Sequence, residues 1–135
     1  MFFLTRKDYS YKNMIKKKKD FEINFYEKLI KHNPNFVQAL LCLGEIYTKR
    51  GFYKEGLKID KRLVSLRPDD PVVHYNLACS FSLVGDIDAA FRHLRYAVLL
   101  GYDDLDYILK DHDLENLCRD ARFNDFFNKL KRLKT

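Results

Sequence analysis

The chain is short of the residues that interrupt regular structure, because its 135 residues include only five glycines and three prolines. Hydrophobic residues make up 47% of it and charged residues 33%. This is the balance of a globular protein, and it excludes the classes of chain that are rich in glycine and proline. The length suffices for one domain. We therefore expect a single globular domain.

Cysteine is scarce as well. The three cysteines, Cys42, Cys79 and Cys118, are far apart and odd in number. None belongs to a Cys-x-x-Cys pair or to a zinc-finger spacing, which excludes a disulfide framework. We expect three reduced thiols that act as small hydrophobic side chains on helix faces.

Long hydrophobic runs are missing too. No stretch approaches the roughly 20 apolar residues that are needed to span a bilayer. The apolar start of the chain, residues 1–5, is followed by Arg6 and Lys7 and is too short for the core of a signal peptide. The sequence is interpreted as that of a soluble, cytoplasmic protein.

The net charge of +6 belongs to the N-terminal tail rather than to the body of the protein. Residues 1–19 hold seven basic side chains and one acidic side chain, whereas residues 20–135 hold 18 of each sign. The neutral body argues against a general basic surface for nucleic acid. The simplest interpretation of residues 1–17 is a basic leader that is disordered and solubilising.

Recognisable catalytic motifs are absent. The sequence has no Gly-rich phosphate loop, no nucleophile elbow and no His-Glu-x-x-His motif. We expect His74 at a helix-packing site with a hydrogen bond, and His112 as an exposed ring between Asp111 and Asp113. The segment that starts at Asp111 lacks the glycine and the glutamate that a calcium loop requires. The sequence therefore predicts no enzyme activity, no catalytic residue, no metal and no cofactor.

What the sequence does contain is a repeat of 34 residues. This spacing links four pairs of residues: Pro34 and Pro68, Leu43 and Leu77, Tyr47 and Phe81, and Gly51 and Gly85. Apolar residues between these points recur at three- and four-residue spacings, the pattern of amphipathic helices. We predict helices from about residue 18 to the Asn33-Pro34 stop, and then at about 36–49, 53–66, 71–84 and 87–100.

The period breaks after residue 100, where Tyr102 stands in the place of the repeated proline. Two short helices are predicted near residues 104–110 and 113–118, followed by a closing helix at about 121–133. Acidic residues are good N-caps, because a carboxylate accepts a hydrogen bond from the first free backbone N–H groups. The candidates for this role are Asp103, Asp111, Asp113 and Asp120.

Residues 37–70 and 71–104 each resemble a tetratricopeptide repeat. The signature positions hold Leu40, Leu43, Gly44, Tyr47, Gly51, Tyr53, Gly56, Leu63 and Pro68 in the first segment, and His74, Leu77, Ala78, Phe81, Gly85, Ile87, Ala90, Ala97 and Tyr102 in the second. Asp60 and His74 depart from the family pattern, since both stand where an aromatic residue is usual. Residues 101–123 resemble the ending of many bacterial proteins of this family.

The resemblance implies a short tetratricopeptide protein of the bacterial type. Its fold class is then all-α: a short right-handed α-solenoid of about two and a half helix pairs with a C-terminal helical cap. We expect one domain over residues 18–135. It consists of a half repeat at 18–34, repeats at 37–70 and 71–104, and capping helices at 105–135.

The resemblance also implies that the first helix of each repeat lines a concave face that binds partners. The expected groove residues are the outward positions of those helices: Gln38, Leu41, Cys42, Glu45, Lys49, Val72, Tyr75, Asn76, Cys79, Ser82 and Leu83. This mixture suits a peptide or helix of another protein. The alternative is that Leu41, Tyr75 and Leu83 only cover the adjacent terminal helices.

One ligand known for the family is excluded by charge. The members that bind the C-terminal carboxylate of a chaperone use Lys and Asn, then Asn, then Lys and Arg. The corresponding residues here are Leu41, Glu45, Asn76, Asp106 and Lys110, of which only Asn76 matches. Glu45 would repel a carboxylate.

The predicted function is therefore a non-catalytic scaffold or adaptor that binds another protein. Two alternatives stay open. The basic tail could bind nucleic acid or an anionic membrane surface, with strong salt dependence, through Arg6, Lys7, Lys12, Lys16, Lys17, Lys18 and Lys19. An exposed N-terminal end at Phe21, Phe25 and Leu29 could instead lead to homodimerisation.

Overall fold

The structure is a computed structural model that describes residues 21–134, and in this part of the chain it contains helices and no strand. The elements in chain order are α1 (21–32, the described part), α2 (Val37–Lys49), α3 (Tyr53–Leu66), α4 (Pro71–Val84), α5 (Ile87–Leu99), α6 (Leu105–Ile108), a 3₁₀ turn (His112–Leu114), α7 (Glu115–Cys118) and α8 (Phe123–Leu133). The four long helices α2–α5 begin and end within one residue of their predicted bounds.

Successive helices pack against each other in chain order, α2 on α3, α3 on α4 and α4 on α5. Glycines allow α2 and α3 to approach closely. A Cβ added to Gly44 would lie 3.2 Å from Ile59 Cγ2, and one added to Gly56 would lie 3.2 Å from Thr48 Oγ1. The fold is therefore the all-α solenoid that the sequence predicts.

Glycine and aspartate set the helix ends. Gly51 and Gly85 have φ angles of +81° and +88°, which suit glycine because it has no Cβ to clash in the left-handed region. The Asp70 carboxylate accepts a hydrogen bond from the Val72 N–H at 2.9 Å and so caps α4. These local signals explain why the boundaries of the repeats can be predicted.

The buried side chains form two clusters of unequal size. The larger joins α4 and α5 to the C-terminal segment, where Ile108, Leu114 and Leu117 are 0% exposed. The smaller, nearer the N-terminal end, consists of Leu40, Leu63 and Val73. Residues 105–134, which we call the cap, thus share the main core with the second repeat.

The cap differs in detail from the prediction. The residue that caps α6 is Asp104, which accepts a hydrogen bond from the Tyr107 N–H at 3.2 Å, and the choice of Asp103 was wrong. Asp113 is not an N-cap either, because it lies within the 3₁₀ turn that Asp111 caps. Asp120 accepts a hydrogen bond from the Arg122 N–H, but the N-cap residue of α8 is Arg122.

The predicted basic leader at residues 1–17 and the predicted helix start near residue 18 lie outside the described residues. At the N-terminal edge of the described part, Phe21 and Phe25 are 70% and 50% exposed. Among the helices that the structure describes, none combines the length and the apolar character that a bilayer span requires.

Candidate functional site

A groove of about 470 Å³ lies between the first helices of the two repeats and is closed at one end by the cap. Its walls come from α2 and α4, its floor includes Asp60 of α3, and its far end is formed by Tyr107, Asp111 and Asp113. We call it the concave groove. It lies where the resemblance to tetratricopeptide repeats placed a binding surface.

Six of the eleven expected groove residues line it: Leu41, Glu45, Lys49, Tyr75, Asn76 and Cys79. The other five lie elsewhere. Gln38 and Val72 are exposed, Leu83 is half-buried and Ser82 is fully buried. Cys42 is half-buried and lies next to Tyr26 of α1.

Tyr75 is not free on the surface, although the repeat pattern places it outward. It is only 6% exposed, and its ring stacks on Tyr102 with the ring centroids 4.4 Å apart. Its hydroxyl donates a hydrogen bond to Asp111 Oδ2 at 2.6 Å. Burial, and then the neighbouring Cys79 and Asp111, raise the pKa of Tyr75 above its ordinary value. For this residue the alternative interpretation applies, because Tyr75 attaches α4 to the cap.

Ser82 is also buried against the cap, so its expected outward position was wrong. The side chain is 0% exposed, and its Oγ accepts a hydrogen bond from the Leu117 N–H at 3.2 Å. The Asn116 side chain donates a hydrogen bond to the Ser82 carbonyl at 3.0 Å. The cap therefore covers the C-terminal half of α4, and it does so through polar as well as apolar contacts.

The far end of the groove is acidic. Cys79 Sγ and the carboxylates of Asp111 and Asp113 lie within 4.8 Å of one another. In the described part of the chain, neither carboxylate forms an ion pair with a basic side chain. Burial and the neighbouring Asp111 charge raise the pKa of Asp113. This end of the groove therefore disfavours a second negative charge.

The same three groups could in principle hold a metal ion. Thiolate, rather than thiol, is the form of cysteine that binds metals. Burial and the neighbouring aspartates raise the pKa of Cys79 well above its ordinary value, which keeps the sulfur protonated. The thiol also points its hydrogen at Asp111 Oδ2, at an Sγ–O distance of 3.8 Å. The arrangement thus suits a hydrogen-bonded acidic wall better than a metal centre.

Asp60 on the groove floor is a buried carboxyl group that departs from the family pattern. It is 7% exposed and accepts a hydrogen bond from the Ser80 hydroxyl. Burial raises the pKa of Asp60 to about 6, and the bond from Ser80 offsets only part of that rise. The sequence singled out Asp60 as unusual but gave no indication of its place in the groove.

Two histidines pair between α4 and α5, away from the groove. His74 is 7% exposed, and its Nε2 lies 2.7 Å from the Pro68 carbonyl oxygen, which confirms the predicted packing role. The rings of His74 and His93 stack with their centroids 5.6 Å apart. Burial, the nearby His74 and the charge of Arg92 lower the pKa of His93 to about 4. His112 is exposed and bonded to Glu115 at 2.8 Å.

Sequence reasoning missed the groove residues of the cap, Tyr107, Asp111 and Asp113. The indirect signal was the break of the 34-residue period at Tyr102, since a segment that leaves the repeat is free to fold back onto α4. Nothing in the local sequence indicates against which helix this segment packs.

No protein-family profile matches the chain. Over 84 residues, 60% of this chain, it is 31% identical to a chloroplastic protein of Arabidopsis thaliana, and this match spans 25% of that protein. The crystal structure of MamA, a protein with tetratricopeptide repeats, superposes with a TM-score of 0.71 and 23% identity. The superposition covers 98% of this chain and 74% of that of MamA. This likeness shows a tetratricopeptide-type solenoid fold.

Proposed function

We propose that the chain is a short tetratricopeptide protein of the bacterial type, and that it binds a segment of another protein in the concave groove without catalysing a reaction. The observation that carries the proposal is the groove itself. It has a volume of about 470 Å³, and it runs between the first helices of adjacent repeats. Segments of partner proteins bind in such grooves through a few anchoring side chains and through their own backbone.

Leu41 and Asn76 supply the two kinds of contact that a peptide needs. Leu41 is a half-buried apolar side chain on the wall formed by α2. Asn76 is half-buried on the facing wall, and its side-chain amide bonds to none of the described residues. An amide can both donate to and accept from a peptide backbone. We assign these two residues the roles of apolar contact and backbone anchor.

The charge of the groove restricts its partner. Glu45 and Lys49 neutralise each other at 2.8 Å, which leaves Asp111 and Asp113 as the net charge at the far end. An acidic segment or a terminal carboxylate would be repelled there. The partner segment is therefore neutral or basic.

The thiols support a role without catalysis. Burial raises the pKa of both Cys79 and Cys118, so neither thiol is activated as a nucleophile. All three cysteines are unpaired, which agrees with the reducing compartment that a cytoplasmic protein occupies. The proposal therefore places the protein in the cytoplasm.

The double substitution Leu41→Ala, Asn76→Ala is expected to abolish capture of the protein partner from a native lysate, because it removes both proposed anchors. Capture is measured by affinity isolation and mass spectrometry, with and without nuclease and at low and high salt. The matched control is Leu109→Ala, Asn124→Ala, which makes the same chemical changes at exposed positions outside the groove.

A partner that survives nuclease and is lost only in the groove variant supports the proposal. Capture that disappears with nuclease, or when residues 1–19 are deleted, would instead support the electrostatic adaptor. If the groove variant and its control retain the same partners, the concave groove is not the binding site.

A further inference from the structure

A second groove, of about 620 Å³, lies between α5 and α8 and shares no residue with the concave groove. We call it the outer groove, because the second helix of each repeat faces the outside of a solenoid of this type. Its floor is aromatic, with the rings of Phe91 and Phe126 4.6 Å apart. It contains none of the residues assigned to peptide binding in the concave groove.

One wall of the outer groove is a stripe of four residues on α5: Arg92, Arg95, Tyr96 and Leu99. They stand at positions i, i+3, i+4 and i+7, so they share one face of the helix. Tyr96 and Leu99 are 43% and 57% exposed. The stripe thus presents two cations next to two uncovered apolar side chains.

The two arginines of the stripe are the uncompensated charges of the outer groove. Arg122 pairs with Asp88 at 2.6 Å and with Asp120, and Lys129 lies 3.7 Å from Asp125. Within residues 21–134, no acidic side chain pairs with Arg92 or Arg95. Both guanidinium groups are exposed and can form bidentate hydrogen bonds with carboxylates.

We propose that the outer groove binds an acidic amphipathic helix of a partner protein. Its carboxylates pair with Arg92 and Arg95, and its apolar side chains cover Tyr96 and Leu99. A groove between two helices accepts a third helix, whose contacts recur at the same i, i+3, i+4 and i+7 spacing. Because the concave groove is acidic at its far end and the outer groove is basic, the two grooves select segments of opposite charge.

A helix fits the outer groove better than a nucleic acid does. Only two of its cations are unpaired, whereas binding to phosphates at physiological salt rests on many such contacts. The other two cations, Arg122 and Lys129, already pair with Asp88 and Asp125 and are therefore less available to a polyanion. The exposed surfaces of Tyr96 and Leu99 suit an apolar partner, which a phosphate backbone does not offer.

The test is a selection of random phage-displayed peptides against the full-length chain. We expect a class of peptides rich in Asp, Glu and Leu at helical spacing, and we expect Arg92→Glu, Arg95→Glu to weaken their binding about tenfold or more. The matched control is Lys54→Glu, Lys58→Glu, which reverses two exposed charges on α3 outside the groove. Changing the acidic residues of a selected peptide to lysine should restore its binding to the Arg92→Glu, Arg95→Glu variant.

Three results would overturn the proposal: no such peptide class, equal binding to the arginine variant, or equal loss in the lysine control. Single-stranded DNA or polyglutamate that binds as strongly as the peptides, and loses its binding equally in the arginine variant, would also overturn it, as that is general electrostatic attraction to the groove. If the arginine variant does not fold, as judged by circular dichroism, Arg92→Gln, Arg95→Gln replaces it. The Leu41→Ala, Asn76→Ala variant should keep the acidic peptides, so the two grooves are tested separately.

Discussion

Replacing Asp60 by asparagine is expected to raise the free energy of unfolding at pH 7 by up to about 3 kcal/mol. The Asp60 carboxyl is 7% exposed, and burial raises its pKa from 3.8 to about 6. The folded protein therefore binds this proton more tightly than the unfolded chain does. Stability is lost as the pH rises from about 4 to about 6, and the loss is complete above that range. Asparagine carries no charge and keeps an oxygen for the Ser80 hydroxyl.

The measurement is urea denaturation of the native chain and the variant at about pH 4 and at pH 7. The advantage of the variant should be full at pH 7 and much smaller near the lower pH, where the carboxyl is protonated in the folded protein and about half protonated in the unfolded chain. Asp106→Asn is the matched control, because it removes the same charge from an exposed position. An equal advantage at both pH values would contradict the ionisation argument and indicate a packing effect.

His93 contributes a pH dependence of stability that is opposite in sign to that of Asp60. Its pKa is lowered to about 4, so the unfolded chain takes up a proton first as the pH falls below 6.5. As the pH falls, His93 therefore lowers the free energy of unfolding over the same range in which protonation of Asp60 raises it. In the Asp60→Asn variant only the contribution of His93 remains. The free energy of unfolding of this variant should therefore fall as the pH is lowered.

Leu117→Ala is expected to lower the free energy of unfolding by about 2 to 5 kcal/mol, because it leaves a cavity in the main core. Leu117 is 0% exposed and belongs to the cluster that joins the cap to α4 and α5. Leu109→Ala is the same change in the same cap, at a side chain that is 54% exposed. The control should cost less than about 1 kcal/mol.

Chemical denaturation followed by circular dichroism measures both variants. A single transition that moves to lower urea concentration in Leu117→Ala would show that the cap unfolds together with the second repeat. A separate early transition, with the main midpoint unchanged, would instead make the cap an independent unit. In that case the acidic end of the concave groove would not be held by the core.

The repeats could be predicted because their signals are local. Gly51, Gly85 and the prolines that separate the repeats mark the helix ends within a few residues of where they act. The 3.6-residue pattern gives the buried face of each helix, and the 34-residue period gives the order of packing. The role of the groove residues and that of the basic leader stay predictions.

The cap could not be predicted in the same way, because its contacts are long-range and do not repeat. Asp111 binds the Tyr75 hydroxyl across 36 residues, and the Leu117 N–H donates to Ser82 across 35. Tyr102 stands where the repeat has proline, and in the structure its ring stacks on Tyr75. The departure from the pattern is thus the contact that turns an outward position of α4 into a buried one.

The unequal size of the two buried clusters has a consequence for dynamics. Helices that share little buried apolar surface open locally at a lower free energy than the rest of the fold, so the amide protons of α2 should exchange with solvent before those of α4 and α5. The walls of the concave groove belong to both parts, since Leu41 lies on α2 and Asn76 on α4. A bound segment would therefore connect the weaker half to the stronger one, and occupancy of the groove would be coupled to order in the first repeat.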